Sequence, residues 1–157
     1  MKTILLFACV LLLSTISYGQ NKLDITGAWK ITSFNAGVYH NYKTDSTAVS
    51  EKMKESLKGS ADSAITIALI TVLVKEFDNY LYIFQPNGQY QEKKGEKVKQ
   101  HGTYTLDEGR QLITLIVKDK FGGESRQNLH YRKTRQALEF KIPLDEMEII
   151  LNLEKFQ

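Results

Sequence analysis

The sequence predicts a mostly β fold. Short antiparallel strands close into a sandwich or an up-and-down barrel, with a helical segment between the first strand and the rest. Three observations carry this. From Tyr80 to Gln157, turn signals recur roughly every eight to twelve residues, the spacing of short strands in sandwiches and barrels. Within those strands apolar and polar residues alternate, as expected when one face of a strand is buried. From about Asp45 to Phe77 the pattern changes to a helical one.

The first segment stands apart from the fold. Met1-Lys2 is a short positive start, Ile4 to Leu13 an apolar run, and Ser14 to Gly19 a polar exit with small residues at Ser17 and Gly19. This is the layout of a secretory signal peptide, with cleavage expected between Gly19 and Gln20. The run is too short for a membrane span, which takes about 20 apolar residues. Cys9 lies inside the apolar run rather than at its end, so it reads as a small apolar residue and not as a lipidation site. Residues 1–19 are therefore assigned to the signal and 20–157 to one domain, secreted or periplasmic. Cys9 is the single cysteine. Without it the domain has no disulfide, thiolate metal site or cysteine nucleophile, and must rely on one apolar core.

Charge excludes little. The chain has 21 basic and 18 acidic residues, and loss of Lys2 leaves a net charge of +2. The densest basic run, Lys93 to Lys99, includes Glu96 and falls at an expected hairpin tip. It reads as a solvated turn, and no nucleic-acid partner is expected.

The first strand is expected around Gly27 to Phe34, where Trp29 and Ile31 share one face and Lys30 and Thr32 the other. The helical insertion is expected over about 45–77. Val49, Met53 and Leu57 recur every four residues among charged ones, with Asp45 or Ser46 as a cap and Gly59-Ser60 as a stop. Ala64 to Val74 is apolar nearly all round. Its β-branched residues favour a strand. Its length and a cap at Asp62 or Ser63 favour a helix, the assignment adopted. Either element needs a large apolar surface to pack on.

Seven further strands are expected: Tyr80 to Gln85, Gln89 to Glu92, Val98 to Leu106, Gln111 to Lys118, Ser125 to Tyr131, Ala137 to Ile142 and Glu146 to Lys155. Pro86-Asn87-Gly88, Gly95, Asp107-Glu108-Gly109, Phe121-Gly122-Gly123 and Pro143-Leu144-Asp145 mark the turns. Leu138, Phe140 and Ile142 face away from Glu139 and Lys141. Met147, Ile149, Leu151 and Leu153 face away from Glu148, Asn152 and Glu154. Such one-faced strands suit a sheet wrapped around an apolar interior.

Ordered along the chain, Gly27-Ala28-Trp29, Phe84-Gln85-Pro86-Asn87-Gly88-Gln89-Tyr90 and Gly102-Thr103-Tyr104 resemble the Gly-x-Trp strand, the Asn-Gly hairpin and the following Gly-x-Tyr strand of bacterial lipocalin-like domains in the calycin superfamily. The Thr-Asp-x-Tyr motif of many lipocalins is absent. So is the arginine that commonly covers the tryptophan; Lys155 is the nearest cation. The resemblance implies a lipocalin-like barrel of about eight antiparallel up-and-down strands, with the helices inserted between strands one and two. It also implies that Trp29 seals one barrel end.

Chemistry is sparse. The histidines His40, His101 and His130 form no ligand pair. Each reads as a surface residue rather than a ligand, with His101 and His130 on the solvent phase of their strands. No Gly-rich phosphate loop or Gly-x-Ser-x-Gly elbow occurs. No enzyme activity, metal or cofactor is expected. Tyr82, Phe84, Tyr104, Tyr131 and Phe140 are candidate ligand-binding residues, because aromatic walls with a few hydroxyls suit a small hydrophobic or amphipathic molecule. A barrel interior filled by the same rings is the competing reading. The expected function is an exported, non-enzymatic binding protein. The alternative is an envelope interaction module that meets a protein partner, or itself, through Ile65 to Val74.

Overall fold

A computed structural model describes residues 24–157 apart from 60–62, 119–120, 135 and 145–146. The signal segment with Cys9, and Ser60, Asp62, Asp145 and Glu146 from the expected caps and last corner, lie outside the described residues.

Twelve elements follow in order: β1 (Gly27–Asn35), β2 (Val38–Asn41), β3 (Ser46–Val49), α1 (Glu51–Leu57), α2 (Ser63–Glu76), β4 (Tyr80–Phe84), β5 (Gln89–Lys94), β6 (Lys97–Asp107), β7 (Leu112–Lys118), β8 (Glu124–Lys133), β9 (Ala137–Leu144) and β10 (Met147–Phe156). From β4 to β10 each strand pairs antiparallel with the next. β1 closes the ring, pairing with β10 from Ala28↔Phe156 to Asn35↔Ile150 and with β4 from Gly27↔Phe84 to Lys30↔Leu81. The result is a closed antiparallel barrel of eight strands with a helical insertion between its first and second strands.

The expected one-faced strands build the core. Tyr80, Tyr82 and Phe84 of β4 point inward, as do Ile113 and Leu115 of β7, Leu129 and Tyr131 of β8, Leu138 and Phe140 of β9, and Ile149, Leu151 and Leu153 of β10. In β1 the register slips between Ile31 and Ser33, so Thr32 is the extra residue of a bulge. The slip turns Phe34 inward after Trp29 and Ile31, and bends the strand, as bulges do. Trp29 is buried, and its indole N–H donates to Ile25 O at 2.7 Å. The Lys155 ammonium lies 5.8 Å from the ring centroid. Gly102 is required by close approach rather than by its backbone angles. A Cβ there would lie 2.1 Å from Ile116 O and 3.0 Å from the Tyr90 ring.

The insertion differs from expectation at its start. Ser46–Val49 is strand, not the first turn of a helix. Asn41 Oδ1 accepts the Lys43 N–H at 2.9 Å, and Asp45 sits at φ 50°. These fold 42–45 into a tight turn, and the β-prone Thr47 and Val49 pair back onto β2. Neither Asp45 nor Ser46 caps α1. Ser50 does, accepting the Met53 N–H on its hydroxyl at 3.2 Å. The chain leaves α1 through Gly59 at φ 78°.

The segment Ala64 to Val74 is helical, inside α2. Among its described residues only Ile70 is buried, with Leu73 and Val74 half-buried against the core. Phe77, just past the helix, stacks on Phe34 and meets Tyr80 edge-on, each with ring centroids 5.7 Å apart. It closes the barrel end near Tyr80. Lys94 pins the same end of α2, reaching Lys75 O at 2.9 Å and the Glu76 carboxylate at 3.0 Å, while Lys99 binds Glu76 at 2.8 Å.

Candidate functional site

Of the aromatic residues singled out by the sequence, Tyr82, Phe84, Tyr104 and Phe140 converge on one another, and Tyr131 lies opposite Phe140 on the neighbouring strand. The ring of Phe140 meets Tyr82 edge-on at 5.3 Å and Phe84 at 6.3 Å, and Phe84 meets Tyr104 at 5.0 Å. Tyr82, Phe84, Tyr131 and Phe140 are buried. Tyr104 is half-buried, donates its hydroxyl to Gln85 O at 3.0 Å, and borders a second surface groove of about 500 Å³ with Ile25 and Pro86. These rings pack against one another within the barrel core.

One polar group breaks that filling. Glu92 of β5 is buried; its Oε2 accepts the Tyr80 hydroxyl at 2.5 Å, and its Oε1 has no hydrogen-bond partner among the described residues. Desolvation pushes the Glu92 carboxyl above its ordinary range, with the Tyr80 hydrogen bond acting weakly in the opposite direction. Burial, with Glu92 beside it, pushes the Tyr80 phenol far up as well.

The open space lies outside the barrel. β1 gives its far half, Ser33–Asn35, to β2 rather than to β4, so the β2–β3 hairpin peels away from the ring. α2 packs across the face of that hairpin. Between them runs a groove of about 540 Å³, within the usual size range of small-molecule sites. Val38 and Val49 from the hairpin and Ile67, Ile70 and Val74 from the helix make its apolar walls. His40, Asp45, Thr47, Lys75 and Asp78 supply polar atoms.

His40 is the fixed polar point of this groove. It is buried, and strand alternation puts it on the same face as Val38. Nδ1 and Thr47 Oγ1 lie 2.8 Å apart, and the Tyr42 ring meets the imidazole edge-on at 4.6 Å. Nε2 lies 3.9 Å from Asp45 Oδ1, too far for a hydrogen bond. One ring nitrogen is thus held, and the other makes no hydrogen bond among the described residues. Tyr42 locks the helix to the hairpin, donating its hydroxyl to Val74 O at 2.7 Å. Burial, and then the nearby Asp78 carboxylate, push that phenol well above its ordinary range.

Sequence reasoning missed this groove. Of its hairpin, Ser46–Val49 was read as the start of the helical stretch and Val38–Asn41 was given no element, and its walls come from segments with no shared motif. His40 was expected at the surface with the other two histidines, and the structure buries it instead, because strand alternation turns it to the groove side with Val38; the signal that bore on it was its two-residue spacing from Val38 and Tyr42. His101 and His130 are exposed, on the expected phase. Among the described residues, no three His, Cys, Asp or Glu side chains are grouped to hold a metal ion, and no helix is long and apolar enough to cross a membrane.

No protein-family model matches the chain, and no curated protein matches it in sequence. Among solved structures, a DUF4847 family protein from Bacteroides vulgatus ATCC 8482 is similar to it. The TM-score is 0.49 at 11% sequence identity, over 88% of this chain and 98% of that one.

Proposed function

We propose that the protein is an exported, non-enzymatic, lipocalin-like binding protein. It takes a small hydrophobic or amphipathic molecule in the groove between β2–β3 and α2, not in the barrel. The observation that carries this reading is the contrast between a barrel packed with aromatic rings and an apolar-walled groove holding a buried, half-satisfied imidazole. An apolar body would lie along Val38, Val49 and Ile70, with a hydroxyl or carbonyl at His40 Nε2. The tripartite leader supports export, and the buried tryptophan beside Lys155 supports the lipocalin-like assignment.

The test is a native mass spectrum of protein purified gently from its producing cells, with an organic extract of the same cells added back during thermal melting. A retained small molecule is expected. Ligand at 100 times its Kd should stabilise the fold by about 2.7 kcal/mol. Ile67→Glu, a half-exposed groove position, should abolish both effects and leave the unliganded melting temperature unchanged. An adduct that survives Ile67→Glu overturns the groove assignment. No adduct and no stabilisation overturn the binding reading.

A second reading, an envelope interaction module, draws on a different observation. Ile65, Leu69 and Val72 of α2 point outward with no cover from the chain's described residues.

A further inference from the structure

The sheet has a free edge. β3 is the terminal strand of the sheet order and pairs on one side only, with β2. Register decides which of its backbone groups are left over. The Tyr42 N–H donates to Thr32 O and the Ala36 N–H to Val38 O, so Val38, His40 and Tyr42 bond toward β1. Direction alternates along an antiparallel strand. Tyr39 and Asn41 therefore bond toward β3, opposite Ala48 and Ser46. The Ser50 N–H to Gly37 O bond continues that phase. The N–H and C=O groups of Thr47 and Val49 are thus directed away from the sheet, and no protein hydrogen bond reaches them among the described residues. Edge strands are normally shielded by shortness, a charge, proline or a bulge. Ser46–Val49 is short, at four residues, but carries no charge, proline or bulge.

A second unpartnered surface lies beside this edge. Thr47 and Val49 share the groove with Ile67 and Ile70 of α2. From Ala64 to Val74 that helix carries no charge, and Ile65, Leu69 and Val72 are 61%, 61% and 63% exposed. Exposed apolar surface of this kind marks interaction sites.

We propose that the protein forms a twofold dimer in which β3 adds antiparallel to β3 of a second copy, continuing the sheet across the pair. Both unpartnered features fit a second copy in particular. A twofold interface sets a patch against itself, so a charged patch repels its own image and a neutral one does not. Strand 46–49 and helix residues 64–74 are both free of charge. An axis perpendicular to the sheet keeps both α2 helices on one face, where their outward apolar side chains flank the seam. The register that uses every free group sets Thr47 opposite Val49 and Ala48 opposite its own counterpart, forming about four new hydrogen bonds. The dimer does not depend on what the groove holds.

The symmetry gives a direct test. Ala48 is exposed and faces away from the groove, so a charge there leaves the monomer intact. Light scattering on the eluting wild-type protein should report a dimer. Ala48→Lys and Ala48→Glu should each weaken it at least about tenfold by placing like charges opposite one another. Mixing the two variants should restore a dimer that contains one of each. Leu69→Lys should also weaken association, with an unchanged thermal melt under dilute conditions. A wild-type protein that is monomeric at concentrations on the order of 100 µM, a Kd equivalent to about −5.5 kcal/mol, overturns the proposal. So does a dimer indifferent to both charges at position 48. An extended peptide from another protein as the natural occupant would give that monomeric result.

Discussion

Single residues mark where this barrel departs from an apolar plug. Trp29 is buried, satisfies its N–H on Ile25, and has beside its ring the Lys155 ammonium that the sequence singled out. Glu92 was not foreseen. In sequence it is one carboxylate in the polar run from Gln91 to Lys94, and only the inward phase of β5, shared with Tyr90, pointed to burial. A carboxyl with one oxygen orphaned in an aromatic interior favours the neutral acid. The sign follows from linkage. The folded chain holds this proton more tightly than the unfolded chain, so the associated stability is fully present below the unfolded pKa and is lost as pH rises through the folded one. Glu92→Gln keeps the shape and cannot ionise. Its stability relative to wild type should therefore rise from pH 4 to pH 8, by about 1–3 kcal/mol if an orphaned polar group sets the scale. Urea melts of both proteins across that interval measure it. Parallel pH profiles would show that folding leaves the Glu92 carboxyl at its unfolded pKa.

At the scale of elements, legibility tracked pattern length. The strands from β4 to β10 were readable because Leu138-Phe140-Ile142 and Ile149-Leu151-Leu153 alternate over enough residues to set a phase, and Asn87-Gly88 marks a turn unambiguously. The β2–β3 hairpin was not. Each strand has four residues, and its turn at 42–45 contains neither glycine nor proline. Val49, Met53 and Leu57 fall at helical spacing by coincidence, since Val49 reaches the core from a strand. The helix α2 was legible as an element but not in its packing. Eleven uncharged residues suggested deep burial, whereas the groove below it and the solvent beyond leave Ile70 as its principal anchor. That asymmetry is measurable. Ile70→Ala should cost about 2–4 kcal/mol, as buried large-to-small changes do. Leu69→Ala, one residue away, should cost less than about 0.5 kcal/mol in dilute protein. Equal costs would place α2 in a rotation different from the one described.

For the whole molecule, connectivity sets where stability concentrates. The barrel ring is continuous because β1 joins β10 over nearly its full length, while its other edge is split between β4 and β2. The ring therefore unfolds as a unit, with every strand paired on two sides. The hairpin and helices are held by fewer ties: the Tyr42 hydroxyl on Val74 O, Ile70, the Phe77 plug, and the Lys94–Glu76–Lys99 cluster at the end of α2. Regions with few buried contacts open locally at lower free energy than the global transition. Amides of Trp29, Ile31, Leu151 and Leu153 should accordingly exchange at the slowest, global rate. Those of β2 and α2 should exchange at least about 100-fold faster, a gap near 2.7 kcal/mol. Their protection should rise selectively when the groove is filled or the β3 edge is paired, because both events tie down this peripheral layer and neither touches the ring. Protection of β2 and α2 equal to that of β10 in the free protein would mean that hairpin, helices and barrel form one cooperative unit. The groove would then have to bind without a separate opening step.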